Sequence, residues 1–348
     1  MTKSNPGNFF EDFSVGQVLK HATPRTLTEA DAALNIALTG SRYALFSADS
    51  FAQECGLGQA PIDPLLVFHV VFGKSVPDVS LNAVANLGYA EGRFLAPVYP
   101  GDTLSATSEV IGLKENSNGE TGIVTVRTRG ENQLGEEVLS FARWVMVNKK
   151  DRASPAPEPI PAKLAGAVGP GELILPPELS FGAYDWDRAG APHAFEDYEI
   201  GEKIDHVDGV TIEEAEHQLA TRLYQNTAKV HFDALAQKDS RFGQRLVYGG
   251  VAISLARALA FNGLANAGLM LAINAGRHVA PLFAGDTLYA WSEVLASADL
   301  GEAGALRLRL VALKNRPAAG FPYKNAAGEY EPEVILDFDY WAAIPKRP

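Results

Sequence analysis

Acid–base and nucleophilic chemistry in this chain must come from few side chains: seven histidines (His21, His69, His193, His206, His217, His231 and His278) and one cysteine, Cys55. An imidazole titrates near neutrality and can take or return a proton there. His69 is embedded in the apolar run LLVFHVVF and reads as a core histidine with satisfied hydrogen bonds. His231 lies in the polar segment YQNTAKVHFD, five positions after Asn226 and two before Asp233. Alone, that segment reads as a polar loop in which Asp233 caps the helix beginning ALAQK. Asn226 could orient a water through hydrogen bonds but could not take its proton, as a carboxylate would. The other histidines have no comparable setting. Cys55 cannot form an intrachain disulfide and reads as a packed or surface residue; no residues show zinc-ligand spacing. A backbone group completes the inventory. Tyr248-Gly249-Gly250 lead into GVAISLARALAFN, so glycines open an apolar helix whose unpaired N–H groups favour negative charge, and they let a ligand approach the backbone closely.

The scaffold that must position these groups is written twice. FEDFSVGQVLKH (10–21) matches FEDYEIGEKIDH (195–206) at five of twelve positions, an offset of 195 − 10 = 185. RFLAPVYPGDTL from Arg93 recurs as RHVAPLFAGDTL from Arg277, an offset of 184, and six of the nine residues in APVYPGDTL are kept. FARW (141–144) and FDYW (338–341) punctuate the last strand of each copy. The period is too long for a solenoid and implies one domain duplicated. Residues 1–150 form the first copy and 191–348 the second. Residues 151–190 join them, with the Pro/Ala-rich composition of an extended linker near their start and a less clear stretch after Leu173 that could wrap the surface. Within each copy the order reads as a turn at Gly16 or Gly201, a short strand, a helix starting at Thr28 or Thr211, an irregular polar segment, an apolar helix, then alternating strands such as GIVTVRTRG and ALRLRLVAL. That order predicts an α+β fold with an antiparallel sheet wrapped around one central helix. Gly101-Asp102 and Gly285-Asp286 recur in both copies and read as turns.

The 348 residues are 47% hydrophobic and 21% charged, which supports packed cores. With 42 acidic and 30 basic residues the net charge is −12, against a nucleic-acid-binding surface but not against a small anion held by a local basic patch. The N-terminus has no apolar signal-peptide region, and Arg257, Asn262 and Asn266 interrupt the longest apolar stretch. The expectation is a cytoplasmic protein with neither membrane nor nucleic-acid partners.

These residues resemble the hotdog fold and, within it, the MaoC-like hydratases and dehydratases. The resemblance covers both halves, so a tandem, double hotdog is expected. It rests on the R-F-x-x-P-V-x-P-G-D-T-L-like strands at Arg93–Leu104 and Arg277–Leu288, on a histidine five positions after an acidic or amide residue, and on the glycine turn opening the central helix. Within that group, YQNTAKVHFD and LTGSRYALFSAD are similar to the subgroup acting on mesaconyl-CoA. The resemblance implies a lyase that reversibly hydrates a short, branched, dicarboxylic enoyl-CoA thioester with (R)-type stereochemistry. Coenzyme A would be part of the substrate and no cofactor or metal would be needed. An (R)-specific hydratase of linear 2-enoyl-CoA, and a non-catalytic acyl-CoA-binding hotdog protein, are the alternatives. A homodimer of double hotdogs would fit the same resemblance.

His231 falls on the family's catalytic histidine, and Asn226 falls where the family usually has Asp. Subtracting 185 from these positions lands on Ser41 and Phe46, or on Arg42 and Ser47 after a one-residue slip; neither pair supplies a base. Asp63-Pro64 stands where the second copy has Tyr248-Gly249, and Pro64 has no N–H to offer an enolate oxygen. Chemistry is therefore expected in the second copy alone. His231 would move the proton, Asn226 hold the water, Gly250 N–H polarise the thioester, and Gly249 and Tyr248 line its place. Lys229, Arg222, Arg277 and Arg93 are the cations expected to hold phosphates or a substrate carboxylate.

Overall fold

The computed structural model describes residues 3–347. Alternating apolar positions put ten strands into one antiparallel sheet. The first copy contributes β1 (Val18–Thr26), β2 (Ala83–Phe94), β3 (Thr103–Glu115), β4 (Thr121–Glu131) and β5 (Glu137–Asn148). The second contributes β6 (Lys203–Thr211), β7 (Leu269–His278), β8 (Thr287–Asp299), β9 (Ala303–Lys314) and β10 (Val334–Pro345). Their spatial order is β1-β3-β4-β5-β2-β7-β10-β9-β8-β6, so each half mirrors the other across the β2–β7 seam. The first copy holds α1 (Glu29–Thr39) and a central helix α2 (Pro64–Ser75); α3 (Glu214–Leu223) and α4 (Gly249–Leu259) are their counterparts. All twelve residues of α2 are buried, as an apolar helix wrapped by a sheet requires. This is the duplicated α+β architecture that the repeat predicts and the double hotdog that the resemblance implies.

The seam carries a local two-fold. Tyr89 pairs with Gly276, Ala90 with Ala275, Gly92 with Ile273 and Arg93 with Ala272. Each pair of numbers sums to 365, so exchanging the copies by 184 returns the same pairing (92 + 184 = 276; 89 + 184 = 273). Gly92 and Gly276 are thereby equivalent, and both must be glycine. A Cβ at Gly276 would lie 2.6 Å from Tyr89 Cδ2, and one at Gly92 2.8 Å from Ile273 Cβ. The central helices also touch across the axis, through His69 Nε2 and Ser254 Oγ at 3.0 Å, positions again 185 apart.

Other duplicated features are structural. His21 meets Ser108 Oγ at 2.7 Å and His206 meets Ser292 Oγ at 2.8 Å, a matched pair fastening β1 to β3 and β6 to β8. Gly101 and Gly285 have φ of 105° and 93°, where glycine is favoured, and the following aspartates accept from the amides of Tyr99 and Phe283. Thr28 caps α1 as expected. The expected helix start at Thr211 is corrected: Thr211 ends β6, and Glu213, which is 28 + 185, occupies the cap before α3. Identical residue type pointed to Thr211, whereas the repeat register points to Glu213.

Residues 151–190 lie along the sheet. Ile160 bridges to Leu113, Trp341 Nε1 donates to Val168 O at 3.0 Å, and Leu179 and Ala189 pack with Phe51 and Cys55.

Candidate active site

The segment between α3 and α4 carries His231 in a single helical turn, Lys229–Phe232. Its backbone carbonyl accepts from Gln218 Nε2 at 2.5 Å, and its ring Nδ1 lies 3.0 Å from Leu246 O. A carbonyl oxygen only accepts, so Nδ1 carries the hydrogen and Nε2 keeps its lone pair. Leu246 is itself pinned by its amide to Val230 O. Burial is the main cause that pushes the His231 pKa down to about 4, leaving a neutral imidazole at neutral pH. Asn226 is 1% exposed, and its Oδ1 accepts from Ala228 N at 3.0 Å, bracing the turn that presents His231. Asp233 is exposed and caps the next turn through Ala236 N, the cap role its sequence suggests.

The start of α4 faces this imidazole. Tyr248 is its N-cap residue, and its ring centroid lies 5.4 Å from that of His231. The amides of Gly249 and Gly250 belong to the first turn, whose donors have no partner within a helix. Close packing explains the glycines. A Cβ on Gly250 would fall 2.3 Å from Tyr248 Cε1 and 2.7 Å from His69 Nδ1; on Gly249 it would fall 2.3 Å from His278 Cε1. Burial holds the Tyr248 phenol well above its ordinary pKa, and its hydroxyl is buried without a partner at hydrogen-bonding geometry. His69, read from sequence as a satisfied core histidine, is satisfied only at Nε2: its buried Nδ1 lacks a partner beside Gly250.

The cations expected near the thioester are dispersed. Arg93 pairs with Glu172 at 2.6 Å, on the face of β2 opposite Phe94. Arg277 lies over the Tyr330 ring, 5.6 Å from its centroid, on the face of β7 opposite His278. The structure does not bring either to the α4 start, and Lys229 and Arg222 are exposed. Among the described residues no group of three or more His, Cys, Asp or Glu could hold a metal ion. No helix among them is long and apolar enough to cross a membrane.

Comparison with known proteins decides the family. The chain is 60% identical over 348 residues, 99% of each chain, to β-methylmalyl-CoA dehydratase of Chloroflexus aurantiacus. It is 60% identical over 346 residues to mesaconyl-CoA hydratase of Cereibacter sphaeroides, covering 99% of this chain and 100% of that one. The chain belongs to the mesaconyl-CoA hydratase family. The model of that family matches residues 1–159. A solved MaoC-domain dehydratase from Chloroflexus aurantiacus superposes with a TM-score of 0.98 at 58% identity over the whole of both chains. A double-hotdog protein of Mycobacterium tuberculosis superposes at 0.77 with 27% identity, over 97% of this chain and 98% of the other.

In this mesaconyl-CoA hydratase family member, the matched first copy replaces the polar groups of the second with apolar ones. The turn Ala44–Ser47 corresponds to Lys229–Phe232 at 185, so His231 maps to Phe46 and the one-residue slip is excluded. Phe46, Pro64 and Phe94, with Leu269 and Met270 from β7, line an apolar pocket. Asp63, whose carboxyl burial pushes up to about 6, spends Oδ1 on the Leu65 amide at 2.8 Å. Cys55 is fully buried and its thiol pKa is raised to about 11, chiefly by burial, which makes it a poor nucleophile.

Residues beyond the sequence-derived set also reach the site. His278 packs on Gly249, and Tyr89 of the first copy reaches across the seam to it, with Tyr89 Oη 3.1 Å from His278 Nε2. The signal for His278 was available: in the aligned strands RFLAP and RHVAP, Phe94 of the first copy stands where the second has His278. Tyr89 and His69 had no such signal, because only the seam brings them near α4.

Proposed function

We propose that this protein reversibly hydrates mesaconyl-CoA to β-methylmalyl-CoA, with one active site per chain at the start of α4. The observation carrying the reading is an imidazole held through Nδ1 by Leu246 O, with Nε2 free of a partner among the described residues, next to the first turn of a glycine-opened helix. Full-length 60% identity to relatives named for this reaction supports the substrate.

His231 Nε2 takes a proton from water as the water oxygen bonds to C3. The C2=C3 electron pair moves toward the thioester, and negative charge gathers on its oxygen. Amides of Gly249 and Gly250 point to where that charge develops, and the helix dipole favours it. The imidazolium of His231 then returns the proton to C2, so the sum is addition of H and OH. With a pKa lowered by burial to about 4, His231 is free of its proton at neutral pH and its conjugate acid gives the proton back readily, at a cost in strength as a base. Asn226 holds the His231 turn and, with its amide, orients the water. Lys229 and Arg222, both exposed, are assigned to the coenzyme A phosphates, coenzyme A being part of the substrate and not a cofactor. The cytoplasm suits the buried, free Cys55.

The test is loss of enoyl-thioester absorbance on adding mesaconyl-CoA and crotonyl-CoA separately. Faster loss with mesaconyl-CoA supports the reading. Preference for crotonyl-CoA would replace it with a linear enoyl-CoA hydratase, and binding without turnover would reduce the protein to an acyl-CoA binder.

A further inference from the structure

The hydration scheme assigns the enolate oxygen to backbone donors alone, yet a second imidazole stands at the same helix start. His278 ends β7 with its ring against Gly249: a Cβ there would lie 2.3 Å from Cε1, 2.5 Å from Nε2 and 2.7 Å from Nδ1. The ring edge between its two nitrogens therefore faces the first turn of α4.

The Tyr89 hydroxyl sets the tautomer. Tyr89 is 1% exposed, and its Oη lies 3.1 Å from His278 Nε2. Were Nε2–H the donor, the hydroxyl hydrogen of a buried tyrosine would need an acceptor, and none is recorded among the described residues. With the hydroxyl donating, Nε2 is satisfied and the ring hydrogen sits on Nδ1, on a side chain that is only half-buried. The internal duplication supplies an independent observation. The copy with Pro64 in place of Gly249 has Phe94 in place of His278 (278 − 184) and Phe46 in place of His231 (231 − 185). Both imidazoles are missing where the helix start cannot receive an oxyanion.

We propose that His278 is the side-chain donor to the thioester oxygen, held as its Nδ1–H tautomer by Tyr89 of the first copy. This rests on the hydratase reading above. Burial, its largest cause, pushes the His278 pKa down to about 4, and charge on His231 opposes protonation too. The group therefore donates as a neutral imidazole, polarising the carbonyl without surrendering a proton. Its hydrogen bond strengthens as the enolate forms and relaxes when C2 is protonated; no bond to His278 is made or broken. One catalytic centre would thus draw its base from the second copy and its tautomer control from the first.

The experiment compares His278→Ala, His278→Gln and Tyr89→Phe with the parent protein, using mesaconyl-CoA. His278→Ala should lose about 100- to 1,000-fold in kcat with little change in KM, the range for a removed oxyanion donor. His278→Gln, whose amide can donate but cannot carry a proton, should recover at least about ten-fold of that. Tyr89→Phe should lose about ten-fold. In His231→Ala, difference Raman spectra of mesaconyl-CoA labelled at the thioester carbonyl should show a lowered C=O stretch, and adding His278→Ala should abolish the lowering. A glutamine variant as inactive as the alanine one, or a carbonyl shift that survives loss of His278, overturns the assignment. Full turnover by His231→Ala would instead refute the base assignment, and the carbonyl shift would still report on His278.

Discussion

Gly250→Ala tests the close approach at the helix start with a single methyl group. Its Cβ would sit 2.3 Å from Tyr248 Cε1 and 2.7 Å from both His69 Cε1 and Nδ1. Ordinary contact begins near 3.4 Å, so the tyrosine ring must retreat by 3.4 − 2.3 = 1.1 Å and the imidazole by 3.4 − 2.7 = 0.7 Å. Neither has room. Tyr248 and His69 are 3% and 0% exposed, and they pack on one another and on Tyr224, with ring centroids 4.6 to 6.1 Å apart. Overpacking of this kind costs about 1–3 kcal/mol, offset by about 0.5–1 kcal/mol from replacing glycine inside a helix. A net loss of about 0–2.5 kcal/mol leaves the protein folded. The catalytic penalty is larger, because Tyr248 borders His231 and a displacement near 1 Å can cost about 100-fold in rate. Initial rates of mesaconyl-CoA hydration and a thermal melt measured together separate the effects, with Gly171→Ala, whose Cβ meets nothing within 4 Å, as control. A Gly250→Ala rate within two-fold of the parent would refute the close-approach argument.

Three further outcomes follow from the same geometry. His231→Ala should lower kcat by at least about 100-fold as a lost general base, read by the absorbance assay. Acid should act through the buried imidazoles: His69, His206, His231 and His278 all have pKa values lowered by burial, to about 3 for the first and about 4 for the others. Folded pKa values below the unfolded 6.5 mean that the unfolded chain binds more protons, so stability present above pH 6.5 is lost as pH falls toward 4. Urea midpoints at pH 7.5, 6, 5 and 4.5 should fall steadily, and midpoints that stay level would contradict the burial of neutral imidazoles. Arg93→Ala should change stability by less than about 1 kcal/mol, since its ion pair with Glu172 is partly exposed, and should leave mesaconyl-CoA turnover intact.

Sequence carried the fold well and the site partially, for a physical reason. A duplicated hotdog repeats the features that folding demands of both copies, such as the FED turns, the Gly-Asp turns and the His21/His206 fasteners, so comparing the copies exposes the scaffold. Chemistry shows in the same comparison by difference. His231 against Phe46 and Gly249 against Pro64 were legible because each swap removes a lone pair or an N–H. His278 against Phe94 is the same kind of difference, but phenylalanine and histidine fill similar space in a strand, and the position reads as packing unless the helix start is placed beside it. Contacts across the seam are a different case. Tyr89 and Gly276 are neighbours only because β2 pairs with β7, and no spacing along the chain encodes that register.

That register gives a reason to retain a copy that has phenylalanines where the other has His231 and His278. Tyr89 meets His278, and His69 of α2 packs on Gly250 of α4, so the second copy's site has walls made by the first. The reverse borrowing persists as well, since Leu269 and Met270 of the second copy line the apolar pocket of the first. In an ancestral pair of identical domains, two-fold symmetry would have built two equivalent sites, each completed by its partner. Fusion lets one site change alone. Phe46 and Phe94, in place of imidazoles, give that pocket an apolar lining and spare one half the cost of burying polar ring nitrogens. The first copy is then bound to the reaction through the seam, and a substitution at Tyr89, 135 residues before YQNTAKVHFD begins (224 − 89), should act on turnover before it acts on stability.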